Sequence, residues 1–568
     1  MLRTLVAETI QRVAGLQDLP EVTIPPTGIA GHYSTAVAMR LAKEDKKNPV
    51  EVAEELVSKI QENAPAGLFL DVSVVKPGFI NLVLSPDAHR GALAEIREGG
   101  ERYPAIAMKA GQSIVEFLSA NVAKPLHVGH LRNSILGDSL VRILEAAGED
   151  VVRWNYLGDW GTQFGKLIAA WRMWGEEEKL SQNPIAYLVS LYVKFHQEAA
   201  EDAKLEEAAR AEFRKLEEGD KENRALWGRF REMTILGVDS FLMRLEIPPF
   251  DEDKGEAFYE QDMASLIKEL QEKGVAKESE GALIIPLDDR KLPPGMIRKT
   301  DGGSLYLTRD IANLRYRLET FKPEKILYVI GNEQSLAMEQ LFAVSEMLGL
   351  TSAKLQHIKY GLVLGENGKK FSTREGNVVT AADILDEAEK LAAGTVAQKR
   401  GDLSDVERAE ISRHVALAAL KYAMLKDFRT TDIVFDWARM LDFHGDSGPY
   451  LQYTHARLCA LLKKAETAGF EPELSDEAEI NKNEQTLIRH LADFSDAIIS
   501  AAEEYAPNRI CLYLYELANK ANAWYEGEHI LTDENEARRS MRLALAETTS
   551  LVLRKGLYLL GIPSPERI

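Results

Sequence analysis

A chain of 568 residues is long enough for three or four domains, and 45% hydrophobic with 28% charged residues is ordinary for a globular protein in water. A net charge of −20 argues against a protein that coats nucleic acid nonspecifically, which needs surplus Lys and Arg, while leaving room for a local basic face. The two cysteines, Cys459 and Cys511, give no zinc-ligand spacing and no disulfide framework, which fits a reducing cytoplasm, and no apolar run reaches the ~18 residues of a membrane span.

Residues 1–108 read as a small α+β domain. The opening MLRTLVAETIQRVAGL is amphipathic, carries Glu8 and lacks a small-residue cleavage site, so it reads as a first helix and not as a targeting peptide. Ser34 or Thr35 is expected to cap a helix running through Lys43, and Pro49 to begin another ending near Ile60. The stretch FLDVSVVKPGFINLVLS predicts two strands around Lys76–Phe79.

An apolar, β-prone run follows (Ile114, Val115, Phe117, Leu118), then a polar turn through Asn121, Lys124 and Pro125. His127-Val128-Gly129-His130 comes directly before a helix-period run from Leu131 to Leu144. Strand, tight loop and helix aim free backbone N–H groups at an anion, and Gly129 admits a ligand close to the backbone. His127 and His130, three apart, share one side of a helical turn. Two imidazoles and a lysine at a helix start suit a polyphosphate, yet HxGH alone serves equally well to cap a helix.

A second strand, Val151 to Tyr156, ends at Gly158-Asp159-Trp160-Gly161 and leads into a helix. This alternation predicts a doubly wound, Rossmann-like parallel sheet over residues 109–395. A charged, strongly helical insertion interrupts it at about 175–285. Leu305 to Asp310 starts a helix through about Glu319, KILYVI predicts a buried strand, and Gly331 to Gln334 precedes a further helix. The polar loop 366–377 contains Lys370-Phe371-Ser372-Thr373-Arg374. Residues 396–568 read as all-helical. There Tyr450, Tyr453, His455 and Trp524 lie at spacings that fit core packing more often than base stacking.

HVGH followed far downstream by KFSTR resembles the HIGH and KMSKS pair of class I aminoacyl-tRNA synthetases. Within that class the chain is similar to the arginyl-tRNA synthetases. The similarity is carried by Glu116-Phe117, by Asn121 to Pro125, by Asn155 to Gly165, by Leu305 to Asp310, by Ser447 to Arg457 and by Leu560 to Arg567. His32 to Lys43 resembles that family's N-terminal tRNA-binding domain. One departure is Thr373, which stands where the motif has its second lysine. The resemblance implies that Lys124 supplies that charge.

The resemblance implies a reaction in two steps: arginine attacks the α-phosphorus of ATP, and a hydroxyl of the terminal adenosine of tRNA(Arg) then takes the arginyl group. Lys124, His127, His130 and Lys370 would act on the phosphates, with Gly129 and Ser372 also binding ATP. Mg²⁺ would be carried by ATP, without zinc. Arginine would lie among Glu116, Asn121, Tyr306, Asp310 and Gln334. Its guanidinium has five donors in a plane and calls for carboxylates and flat acceptors. Tyr306 and Asp310, at i and i+4, share a helix face, although Asp310 beside Arg309 also fits a surface ion pair. The helical domain would read the anticodon, with Tyr450, Tyr453, His455 and Trp524 as candidates, and the protein would be a cytoplasmic monomer. A synthetase for another amino acid, a noncatalytic tRNA-binding paralogue and a small-molecule adenylating ligase are the competing readings. The GDWGTQFG and SGPYLQYTHAR blocks speak against the first, the retained phosphate residues against the second, and the flanking domains against the third.

Overall fold

Five parallel strands form the central sheet: β1 (Gln112–Glu116), β2 (Asp150–Asn155), β3 (Glu252–Asp253), β4 (Lys325–Gly331) and β5 (Lys354–Tyr360), in spatial order β5-β4-β1-β2-β3. The computed structural model describes residues 1–568 except 27, 110, 123, 299–305, 366–367, 370–378 and 401–402, and the side chain of residue 399. From β1 the chain winds outward through β2 and β3, then returns to lay β4 on the other side of β1. The crevice beyond the carboxyl ends of β1 and β4 is therefore the switch point where doubly wound sheets collect ligands.

Both faces of the sheet are covered, as its apolar strands require. Helix α1 (Val128–Ala146) follows β1 and is buried over most of its length. Helix α2 (Tyr306–Thr320) leads into β4 and packs its inward residues Leu307, Ile311 and Leu314 on the other core. Helix α3 (Ser335–Met347) follows β4. Between β2 and β3 the chain is helical, from Thr162–Trp174 to Lys221–Arg244, but the helical stretch expected at about 175–285 ends earlier: β3 and the strands Lys277–Ser279 and Ala282–Ile285 lie within it, because β2 recruits Glu252–Asp253 to the central sheet. Beyond β3, a three-stranded antiparallel sheet (Lys277–Ser279, Ala282–Ile285, Gly295–Arg298) precedes α2.

The GDWGTQFG block turns out to be a clamp between sheet and insertion. The buried Asp159 carboxylate accepts from Arg231 Nε at 2.6 Å and from the Ala257 amide at 2.8 Å, and its carbonyl accepts from Trp227 Nε1 at 2.8 Å. The terminal GIPSPER segment is a strap. The carbonyl of Gly561 accepts from buried Lys421, and those of Pro563 and Pro565 contact Gln452 and His455.

The N-terminal region differs from expectation in one place. Ser34 and Thr35 do not cap the next helix, which is Val37–Asp45 with Ala36 at its start. They lie in a strand, Tyr33–Thr35, which pairs with Phe79–Leu84 on one side, while the Ser34 amide and carbonyl bond Thr23 on the other, and both side chains are buried. Thr35 Oγ1 still accepts from the Val37 amide at 3.3 Å. The expected Pro49 helix is present (Pro49–Asn63), as are the strands Phe69–Val75 and Phe79–Leu84. This region docks on the C-terminal helices through Arg3–Asp493 at 3.0 Å and Tyr103 Oη to the Leu491 carbonyl at 2.8 Å. No helix among the described residues is long and apolar enough to cross a membrane.

Candidate active site

Glu116, the last residue of β1, stands in register between Trp154 of β2 and Tyr328 of β4. Register neighbours in a sheet project to one face, so the three side chains form a row. Across it lies the fully buried guanidinium of Arg317 from α2. It is ion-paired with Glu116, 4.3 Å from the Trp154 ring centroid and 5.6 Å from that of Tyr328. Arg317 is two helical turns beyond Asp310, and Asn313 lies between them on the same face. Asn313 accepts from Tyr259 Oη at 2.8 Å, which ties α2 to the 3₁₀ segment Glu256–Asp262.

This packing gathers acid. Burial first, then the nearby Glu116 and Glu256 charges, raise the Asp310 carboxyl to about 8, against Arg317 and the Tyr156 hydroxyl. Burial likewise pushes Glu256 up to about 7, opposed by Arg309, whose Nη1 is 3.7 Å from Glu256 Oε2. The buried carboxylate oxygen Glu256 Oε2 has no hydrogen-bond partner among the described residues. Buried polar groups left this way are costly unless a ligand satisfies them. An acceptor of this kind can take a hydrogen bond from an N–H donor.

Asn121 and Gly158 connect the loops that leave β1 and β2 through an isolated parallel bridge. A Cβ on Gly158 would come to 2.5 Å from Asn121 Oδ1, so a side chain there would displace the Asn121 amide. Asn121 and Lys124 are exposed, as are Tyr306 at the start of α2 and Gln334 at the end of β4. Asp310, Glu116 and the loop of Asn121 are thus brought to one end of the sheet, with Gln334 beside them at the switch point.

On the same end, His127 and His130 build the start of α1 between them. His127 Nδ1 accepts from the Gly129 amide at 3.0 Å, and His130 Nδ1 accepts from the His127 amide at 3.1 Å. Their ring centroids are 4.0 Å apart. Burial holds the His130 imidazole down at about 3, helped by the His127 and Lys124 charges, and lowers His127 as well. Both rings are therefore neutral. Because each Nδ1 accepts, each proton resides on Nε2, so the pair offers two N–H donors at the start of α1. Of the two roles that HxGH left open, the capping one is formed here.

Lys370 and Ser372 lie outside the described residues. The chain after them is tied to the HVGH turn: Thr380 pairs with His127, and the Ala381 amide donates to the Leu126 carbonyl at 2.8 Å.

Residues 95–437 match the class I (R) tRNA synthetase catalytic domain, 451–568 the DALR anticodon binding domain, and 1–84 the arginyl tRNA synthetase N-terminal domain. The chain is 36% identical to the arginine–tRNA ligase of Clostridium perfringens, with 100% of both chains covered. This chain belongs to the arginyl-tRNA synthetase family. It is 39% identical to the arginine–tRNA ligase of Enterococcus faecalis, over 94% of this chain and 92% of that one. Among solved structures, it resembles the arginyl-tRNA synthetase of Thermus thermophilus with a TM-score of 0.80, 27% identity and 100% coverage of both chains. The Plasmodium falciparum arginyl-tRNA synthetase gives 0.79 at 25% identity, over 100% of this chain and 98% of that one.

For this synthetase, three of the four aromatic candidates for tRNA contact are corrected. Trp524 is completely buried, His455 is buried against the Pro565 carbonyl, and Tyr450 is buried with its hydroxyl bonded to Asn519 and Asn522. None presents a ring face to a base. Helical spacing placed them on the core side, and only Tyr453, 37% exposed, remains at the surface. Tyr156, Glu256 and Arg317 were not anticipated. Tyr156 ends a strand that was, and Arg317 follows Asp310 at helical spacing. Glu256 carries no local signal, since a distant segment brings it in.

Proposed function

We propose that the acidic slot and the HVGH turn divide the synthetase reaction between them. The protein is an arginine–tRNA ligase. Arginine and ATP give arginyl-adenylate and pyrophosphate, and the arginyl group then passes to the 3′-terminal adenosine of tRNA(Arg). Support comes above all from the juxtaposition at one switch point of a cluster of carboxylates, Asp310, Glu116 and Glu256, and a helix start bearing two neutral Nε2–H imidazoles.

In this reading Asp310 pairs the arginine guanidinium, with Tyr156 and Glu256 beside it and the Tyr306 ring against its plane. Gln334 and Asn121 hold the other end of the substrate. Glu116 is balanced by Arg317 and supplies negative potential at the floor of the slot. Lysine, a point charge, would leave the same buried acceptors unpaired, which is the physical basis of selection. The substrate carboxylate is the nucleophile, so catalysis is positioning plus stabilisation of phosphate charge. His127 and His130 donate from Nε2, Gly129 keeps the backbone approachable, and Lys124, Lys370 and Ser372 complete the phosphate contacts. Mg²⁺ bound to ATP neutralises phosphate charge and needs few protein ligands. Exposed Glu333, whose charge is felt by His127, is a carboxylate suited to reach it.

We assign residues 1–108 and 396–568 to tRNA binding around a catalytic unit of 109–395, with Tyr453 as an anticodon-side contact, in a cytoplasmic monomer. Aminoacylation of purified tRNA(Arg) with each of the twenty amino acids tests the function: arginine alone should be esterified. Charging of another amino acid, or of none, would overturn it.

A further inference from the structure

Arg132, two residues beyond His130, is only 1% exposed. Nη1 donates to the carbonyls of Gly361 at 2.7 Å and Leu362 at 3.1 Å, and Nη2 to those of Arg429 and Thr431, both at 2.9 Å. All four acceptors are backbone, so the guanidinium fixes the course of two separate chain segments. The segments continue as the parallel pair Val363–Leu364 and Ile433–Val434. Arg429 reaches onward, its Nη1 donating to the carbonyls of Glu504 and Tyr505 at 3.1 Å each, at the end of the C-terminal helix Phe494–Glu504. The neighbouring Asn133 accepts from the Leu118 amide and donates to the Val329 carbonyl at 2.7 Å, fixing α1 to the carboxyl ends of β1 and β4.

We propose that Arg132 is a positioning residue. It holds the HVGH turn against the 361–364 and 429–434 segments and, through Arg429, against the C-terminal helical domain, so that His127 and His130 meet the ATP phosphates in reactive geometry. The proposal rests on the assignment of those histidines to ATP. A rigid planar fork can bond two segments at once, which an ammonium cannot do to the same extent. Displacement of a reacting group by about 1 Å costs on the order of 10²-fold in rate, so a clamp of this kind acts on turnover.

The experiment uses the full chain with tRNA(Arg) and measures ATP–pyrophosphate exchange per titrated active site, alongside thermal melting, for Arg132→Met, Arg132→Lys, Arg429→Met and the Arg132→Lys/Arg429→Met double variant. Arg132→Met should lower kcat by about 10²-fold while the arginine KM stays within about twofold, because the acidic slot is built by other residues. Arg132→Lys should recover part of the loss. The double variant should lose less than the product of the single losses, as expected for residues acting in series. Unchanged kcat per site in a folded Arg132→Met protein, or losses that simply multiply, would overturn the proposal. If Arg132→Met does not fold, the lysine variant, Arg429→Met and their combination decide. His130→Ala is the control for the underlying assignment: full activity there removes the phosphate reading, whatever Arg132 does.

Discussion

Replacing Asp310 by Asn keeps the shape of the side chain and removes its charge. In the free protein that carboxyl is raised to about 8 from an ordinary 3.8, chiefly by burial. At pH 7 it is mostly protonated, and ionising it to receive a guanidinium costs about 1.4 kcal/mol, one pKa unit's worth. The ion pair then formed in a desolvated slot outweighs that cost, since breaking such a pair costs about 3 kcal/mol or more. The difference is about 1.6 kcal/mol, so Asp310→Asn should raise the arginine KM at pH 7 by about tenfold, at roughly 1.4 kcal/mol per tenfold. Wild-type arginine affinity should also rise with pH, about tenfold per unit, and level off near pH 8, whereas the variant is flatter. Stability moves the opposite way. A raised carboxyl contributes stability that is present below its unfolded value and is lost as pH rises through the folded one. Asp310→Asn should thus melt above wild type at pH 9, with the gap closing toward pH 5. ATP–pyrophosphate exchange from pH 6 to 9 with tRNA present, and melting without ligands, give both readouts. A normal arginine KM, or an unchanged pH slope in the variant, would refute the assignment of the slot.

Four further outcomes are expected. His127→Ala and His130→Ala should each lower kcat for pyrophosphate exchange by about 10²-fold with little change in arginine KM, since each removes one Nε2–H donor. Gly158→Ala should raise the arginine KM by about tenfold, because the new Cβ displaces Asn121, and a rate-only effect would contradict that loop's role. Asp159→Ala should destabilise the chain by about 3 kcal/mol in urea titration, as it leaves Arg231 and the Ala257 amide without their acceptor. Trp524→Ala should cost about 3–5 kcal/mol of stability without changing tRNA affinity per folded molecule, while Tyr453→Ala should do the reverse; equal effects would undo the distinction between core and surface rings.

Local chemistry made much of this molecule legible. The strand ending at Glu116, the HVGH helix start and the helix carrying Asp310 follow from apolar periodicity and turn residues, which act over a few residues and are written in order along the chain. The winding of the sheet followed too, because parallel strands joined by helices have few ways to be connected. Ser34 and Thr35 misled for the opposite reason: their capping chemistry is local, but Thr23 on one side and the strand Phe79–Leu84 on the other drew them into a sheet.

The acidic slot belongs to the tertiary structure. Glu256 enters from beyond a helical insertion, Arg317 neutralises Glu116 only because three strands lie in register, and the shifted acidity of Asp310 exists only once water is excluded. Which aromatics face solvent was decided in the same way, since a helix has one periodicity whether its ring-bearing side meets a base or another helix. The sequence by itself determined which groups were available and how each short element would form. Their energies, and hence their roles, depend on distance and dielectric, which residues acquire only when segments remote in the chain pack together.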